Sequence, residues 1–275
     1  MAKAKVDFST RIKGIWVPIL VVAVWEIVVR MGWVNPQVLP APSAVITRWY
    51  QYLMPMEPFD PEGTMSRAEW IFSGELLHDL WASFYRVLLG CVIGGVLALP
   101  LGLVMGASQK VYDYMNPLVQ VLRPIPPIAY IPLAILWFGL GNPPAVFLIA
   151  LGAFFPILMN TIVGVRAVDS IYIRAARNMG AGSFLMFRKI IVPAAMPYIL
   201  SGVRIGIGTG FICMIVAEMI AVNSGLGYRI LEAREYFWSD KIIAGMFSIG
   251  LLGLAIDTVV DKLNNHLLRW HRGLE

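Results

Sequence analysis

Charge and cysteine are both scarce in this chain. Only 14% of its 275 residues are Asp, Glu, Lys or Arg, against about 25% in a soluble globular domain. A water-facing surface needs more polar side chains than that, so a soluble fold is excluded for the bulk of the sequence. The two cysteines, Cys91 and Cys213, sit in apolar runs, which leaves no disulfide framework and no zinc-type spacing. His78, His266 and His271 are too scattered to share a metal or a catalytic triad. No G-x-x-x-x-G-K-[ST], H-E-x-x-H or G-x-S-x-G string occurs. The chain therefore carries neither a phosphate-cradling loop nor a hydrolase signature, and is expected to be no enzyme and to hold no cofactor of its own.

Apolar sequence is what it has in excess: 58% of residues are hydrophobic, where roughly 45–50% is usual. Apolar stretches fall near 14–33, 80–107, 115–139, 144–165, 195–222 and 241–263, each of a length that crosses a bilayer. The expected fold is an all-α membrane protein of about six transmembrane helices. Lys3, Lys5, Arg11 and Lys13 precede the first stretch, but no A-x-A cleavage site follows, so it reads as a retained anchor with its N-terminus inside. Pro124, Pro126, Pro127 and Pro132 predict a kinked or partly unwound third span. On this threading thirteen of the 22 basic residues lie in inside segments and six outside, which puts both termini in the cytoplasm. The net charge of +5 thus reports basic inside loops and not a nucleic-acid partner. Glu57, Asp60, Glu62, Glu69 and Glu75 mark a solvent-facing first outside segment. Within it, Pro42, a capping Ser43 and the spacing of Val45, Ile46, Trp49 and Leu53 predict a short helix at the outer interface.

Five charges fall inside these spans: Glu26, Arg86, Arg123, Arg204 and Glu218. A lone charge at the bilayer centre costs about 2.5–3.5 kcal/mol even on lenient scales, so each needs a partner, water or a place at the edge. Arg86, Arg123 and Glu26 are expected to snorkel to an edge. Arg204 and Glu218 lie fourteen residues apart, about 21 Å along one helix, so neither partners the other within it. The glycines at 90, 94 and 95 and at 206, 208 and 210 predict close helix packing.

The inside segment VRAVDSIYIRAARNMGAGSFLMFRKIIVPAAMPYIL is the most unusual. Asp169 and Ser170 open a helix over about 170–179, and Gly180 with Gly182 ends it. A second helix begins near Ser183 and is expected to break at Pro193 and Pro197. By composition alone this is either an ordinary interfacial loop or a helix offered to a cytoplasmic partner.

Ala175-Ala176, three residues, Gly180, nine residues, then Ile190-x-Val192-Pro193 resembles the E-A-A-x3-G-x9-I-x-L-P signature of binding-protein-dependent ABC importer permeases. Arg174 stands where that signature has glutamate, and Val192 where it has leucine. RPIPPIAYIPLAILWFGLG (123–141), FFPILMNTIVGVRAVD (154–169), RIGIG (204–208) and AEMIAVNSGLGY (217–228) resemble the taurine/alkanesulfonate branch, to which nitrate, bicarbonate and cyanate permeases are related. The likeness implies a type I ABC importer transmembrane fold over 76–265, preceded by an anchor and periplasmic segment (1–75) and followed by a cytoplasmic tail (266–275). It implies a coupling helix at about 170–180, with Arg174, Ala175, Ala176, Arg177, Gly180, Ile190 and Pro193 meeting the ATPase. It places Glu218 near an outer gate, the alternative being a structural pairing with a residue of another helix or subunit; Arg204 and Arg123, as charges within spans, are further pathway candidates. The implied partners are a second copy of the chain, two ABC ATPase subunits that bind ATP and Mg, a periplasmic solute-binding protein and the lipid of a bacterial inner membrane. Taurine or a related sulfonate is the implied cargo. The competing classes are another small anion on the same machinery, an ion-coupled secondary transporter, and a membrane-embedded enzyme or scaffold.

Overall fold

The computed structural model describes residues 8–55, 70 and 73–268, with the side chains of 8–15 excepted. The acidic positions 57, 60, 62 and 69, the basic positions 3, 5, 67, 269 and 272, and most of the 266–275 tail lie outside the described residues, as do the side chains of Arg11 and Lys13. Every regular element described is helical: α1 (Phe8–Arg30), α2 (Pro42–Leu53), α3 (Glu75–Ala107), α4 (Gln109–Leu122), a 3-10 turn (Pro127–Tyr130), α5 (Ile131–Phe138), α6 (Asn142–Arg166), α7 (Ser170–Asn178), α8 (Ser183–Met186), a π turn (Phe187–Ile191), α9 (Val192–Ala221), α10 (Leu226–Glu235) and α11 (Ser239–Leu267).

Among the described residues, α3, α6, the run Ser183–Ala221 and α11 are long and apolar enough to cross a membrane. The pair formed by α4 and Pro127–Phe138 passes the same test together. It is bent by 80°, so the third apolar stretch is broken outright. Pro126 and Pro127 withhold two amide donors there, and the chain restarts as a 3-10 turn. α1, with 23 residues, has the length of a span.

Two local expectations are corrected. Pro193 and Pro197 do not break the fifth span: Pro193 falls in the first turn of α9 and Pro197 is carried inside it. Proline is tolerated at a helix start, where its missing N–H has no partner to lose. The irregularity lies one turn earlier, where Phe187–Ile191 widens to a π turn. Ser43 is not a cap either. Ala41 occupies the N-cap of α2 and Pro42 follows it, while Ser43 gives its backbone N–H (3.0 Å) and hydroxyl (2.8 Å) to Glu26.

The chain divides into two compact units, residues up to 78 with 229–248, and residues 79–228 with 249 onward. In the first, Glu26 also accepts from Arg30 Nε at 2.6 Å, so α2 and its own helix both hold it. Arg48 pairs with Asp240 at 2.7 Å, and Trp49 Nε1 donates to Ser248 Oγ at 2.9 Å. Glu75 takes Arg229 (2.6 Å) and Lys241 (3.2 Å) together.

In the second unit α6 is the hub, and small residues explain why. Gly90, Gly94, Ala98, Gly102 and Gly106 repeat every four residues along one face of α3. A Cβ at Gly90 would fall 2.6 Å from Ile149, and one at Gly106 would fall 2.6 Å from Val165, so the backbones of α3 and α6 touch only because no Cβ intervenes. Gly202 and Gly206 of α9 meet Asn160 and Ile157 of α6 in the same way. Between these seams Met105, Ile157, Leu158 and Ile162 close a buried cluster. Gly208 packs against nothing and Gly95 only loosely, since both point off the seam.

Candidate functional site

α7 lies between α6 and α9 in the chain. Asp169 caps it, its carboxylate accepting from Ile171 N at 2.8 Å, and Ser170 begins the helix proper. At the other end Gly180 N donates to Arg177 O (3.0 Å) and Ala181 N to Ala176 O (3.0 Å), the reciprocal pair of a Schellman motif. That motif needs a left-handed residue, and Gly180 has φ +81°. The spacing from Ala176 to Gly180 is therefore the spacing of a helix stop. Ala176 is buried at 1% exposure, whereas Arg174, Ala175, Arg177 and Gly180 are exposed. Ile171, Tyr172 and Met179 are exposed beside them, and the two arginines make no ion pair among the described residues. Ile190 lies in the π turn and Pro193 opens α9, both half-buried. The result is a helix capped at both ends, exposed on every side but that of Ala176, with apolar groups and cations interleaved around it.

A second cluster is buried among α3, α9 and the 222–227 turn. Glu218 is fully buried, and Arg86 is 3% exposed. Arg86 Nη1 donates to Glu218 Oε1 at 2.7 Å. Ser83 Oγ (2.9 Å) and Gly227 N (2.9 Å) both donate to the other carboxylate oxygen. The rest of the guanidinium serves Asn142 Oδ1 (2.7 Å) and Ser224 (2.7 Å to Oγ, 2.9 Å to its carbonyl). Asp79 accepts from Gly225 N at 2.8 Å, and Ser83 from Leu226 N at 3.0 Å. Gly225 has φ +104° and lies against the Glu218 carboxylate, where any Cβ would collide. The turn is thus wrapped around a charge pair with almost every polar group satisfied. Snorkelling of Arg86 to an edge is corrected: a carboxylate 132 positions away holds it inside.

Arg204 forms a two-pronged pair with Asp257 (2.9 and 2.8 Å) and reaches Asp261 at 3.2 Å. Reasoning from sequence required a partner off its own helix but did not single out the two aspartates. Their spacing of four in an apolar run, one face of a helix, was the available signal. Asp79, Ser83, Asn142 and Ser224 were missed too, since short polar residues near span ends look unremarkable. Arg123 sits at the bend after α4, exposed and away from both clusters. No group of three or more metal-ligating side chains forms among the described residues.

These features define a helical protein with several helices long and apolar enough to cross a membrane and a capped, exposed helix between α6 and α9. Residues 98–273 match the family of binding-protein-dependent transport system inner membrane components, and the chain belongs to it, as a permease of the inner membrane. It is 35% identical over 263 residues to the putative aliphatic sulfonates transport permease protein SsuC of Bacillus subtilis, covering 96% of this chain and 89% of that one. It is 32% identical to the taurine transport system permease protein TauC of Escherichia coli (92% and 87% covered). To the nitrate import permease protein NrtB of Synechocystis it is also 32% identical (90% and 85%). The fold is that of the inward-facing MetNI methionine ABC transporter chain, with TM-score 0.63 at 20% identity over 74% of this chain and 99% of the other.

Proposed function

We propose that this chain is the permease of an ATP-driven importer for a small organic sulfonate such as taurine. Two copies, threaded through the membrane six times each with both termini in the cytoplasm, form the pathway. Two ATPase subunits beneath them bind ATP and Mg, and a periplasmic solute-binding protein delivers cargo from above. The observation that carries the reading is α7: capped at both ends, exposed, apolar and cationic around its surface, as a helix seated in a partner's groove has to be. Arg174, Ala175, Arg177 and Gly180 meet the ATPase, while Ala176, Ile190 and Pro193 fix the helix to the span behind it. ATP moves the pathway only if the ATPase dimer binds one arrangement of these helices better than the other. Glu218 acts at the outer gate through the turn it holds, and Arg204 ties α9 to α11.

The sulfonate assignment is supported by the relatives named for aliphatic sulfonates and taurine; the nitrate relative supports a second cargo on the same machinery. Uptake of taurine, an alkanesulfonate and nitrate into proteoliposomes containing the chain, its ATPase and its binding protein decides between them. Uptake is expected to need all three proteins and ATP. Uptake by the chain alone would establish a secondary transporter instead.

A further inference from the structure

Arg123 differs from the other two arginines of the spans. Arg86 and Arg204 are each bound to carboxylates, but the Arg123 side chain makes no hydrogen bond or ion pair among the described residues, its backbone N–H alone donating to Val119 O at 2.9 Å. It lines two cavities at once. One, of about 440 Å3, lies between the bend, α6 and α9, with Met159, Asn160 and Thr209 in its wall. The other, of about 350 Å3, follows α4 past Asn116 and Gln120 to Tyr112. Met159 borders both, so the two spaces adjoin at Arg123.

Depth follows from residue counting. The 14 residues of α4 rise about 21 Å from the inside loop to Arg123. The wall residues 152–160 of α6 and 205–213 of α9 are interior to helices of 25 and 30 residues. The cavity is therefore well inside the bilayer, where a charge without a counter-ion is costly and marks a solvated pathway by default. Asn116, Gln120 and Arg123 are spaced four and three apart, which stacks them on one face of the helix. Asn116 and Gln120 make no side-chain hydrogen bond among the described residues either. Asn160 and Thr209, by contrast, donate to the backbone carbonyls of Pro156 and Gly152. A wider space of about 620 Å3 between α3 and α6 is lined almost wholly by apolar side chains and offers an anion nothing.

We infer that Arg123, with Gln120 and Asn116 one and two turns toward the inside loop, is the anion-reading subsite of the translocation pathway. This rests on the importer reading and deepens it. A guanidinium presents parallel N–H groups to two oxygens of a sulfonate, a carboxylate or nitrate. With no carboxylate among the described residues to compete, that fork is open to cargo. Its exposure keeps it hydrated, so the anion is held weakly enough to leave. The amides below then take over the oxyanion as neutral donors, which grades its passage toward the cytoplasm.

The test uses the whole complex, with ATPase and binding protein, in proteoliposomes, and taurine, methanesulfonate and nitrate as probes. Arg123→Gln is expected to lower ATP-driven uptake about tenfold or more, the scale of one lost charge-assisted bond. ATP hydrolysis stimulated by the loaded binding protein should stay within about twofold of wild type, because the ATPase contacts are untouched, and Arg123→Lys, which keeps the charge but loses the fork, should fall between wild type and Arg123→Gln. Wild-type uptake by Arg123→Gln, or equal losses in the Gln and Lys variants, would overturn the inference. Should Arg123→Gln fail to assemble, Gln120→Leu and Asn116→Leu decide: reduced uptake with retained hydrolysis upholds it, and unchanged uptake refutes it. A wild-type complex that moves none of the three probes with ATP would remove the importer reading itself. An unaffected variant beside a transporting wild type removes this inference alone.

Discussion

Glu218 and Arg86 have opposite charges and lie in the apolar interior of the second unit, and only their mutual contact makes either tolerable there. Desolvating both is expensive, so the pair adds little net stability, but removing one partner strands the other. Glu218→Leu and Arg86→Leu are each expected to lower stability by about 3–5 kcal/mol, read as a drop in melting temperature of the detergent-purified protein. The double variant Arg86→Leu/Glu218→Leu should melt well above the temperature that the two losses added together would give. Strict additivity would show that the two residues do not act as a pair. Sequence reasoning recognised both as charges in need of partners and ruled out Arg204 as the partner of Glu218 by helical distance. It sent Arg86 to the membrane edge because nothing local to residue 86 reveals that Glu218, Ser224 and Asn142 converge on it.

At the level of elements, α7 was the most legible part of the chain. Its cap, its length and its stop are local properties: Asp169 supplies the acceptor, Ala175 and Ala176 favour the helix, and Gly180 adopts the positive φ that ends it. Because Ala175 is exposed, Ala175→Asp should leave the fold intact. A carboxylate pressed into a partner's groove costs on the order of a tenfold loss of ATP-coupled uptake, with Gly180→Pro doing the same by destroying the stop. Co-purification with the ATPase and uptake assays check this, and full assembly with wild-type uptake in both variants would sink the docking role. The third and fifth spans were read less well. Prolines at 124–127 were seen to interrupt a helix, but not that the axis turns by 80°. Those at 193 and 197 were expected to break α9, yet the π turn at Phe187–Ile191 takes up the irregularity and lets Pro193 start a fresh helix.

For the molecule as a whole, the excess of basic residues in the segments read as inside predicts the orientation. In a Cys91→Ala/Cys213→Ala background, Arg174→Cys should react with an impermeant thiol reagent only from the cytoplasmic side, and Tyr236→Cys only from the outside. Both side chains are exposed, so accessibility does not confound the result. Labelling of both from one side would overturn the threading.

The class of protein, the approximate helix spans and the capped helix α7 were determined by the sequence itself. Each depends on hydropathy over about 20 residues, or on capping and turn chemistry within five, and such interactions are between neighbours along the chain. Tertiary structure alone decided which charges meet. It brought Arg86 to Glu218 and Arg204 to Asp257, sorted the packing glycines from Gly208, and left Arg123 facing two adjoining cavities without a counter-ion among the described residues. Those outcomes depend on the azimuth of each helix against its neighbours. Close-packed small residues fix that azimuth, and a pattern read one helix at a time does not contain it.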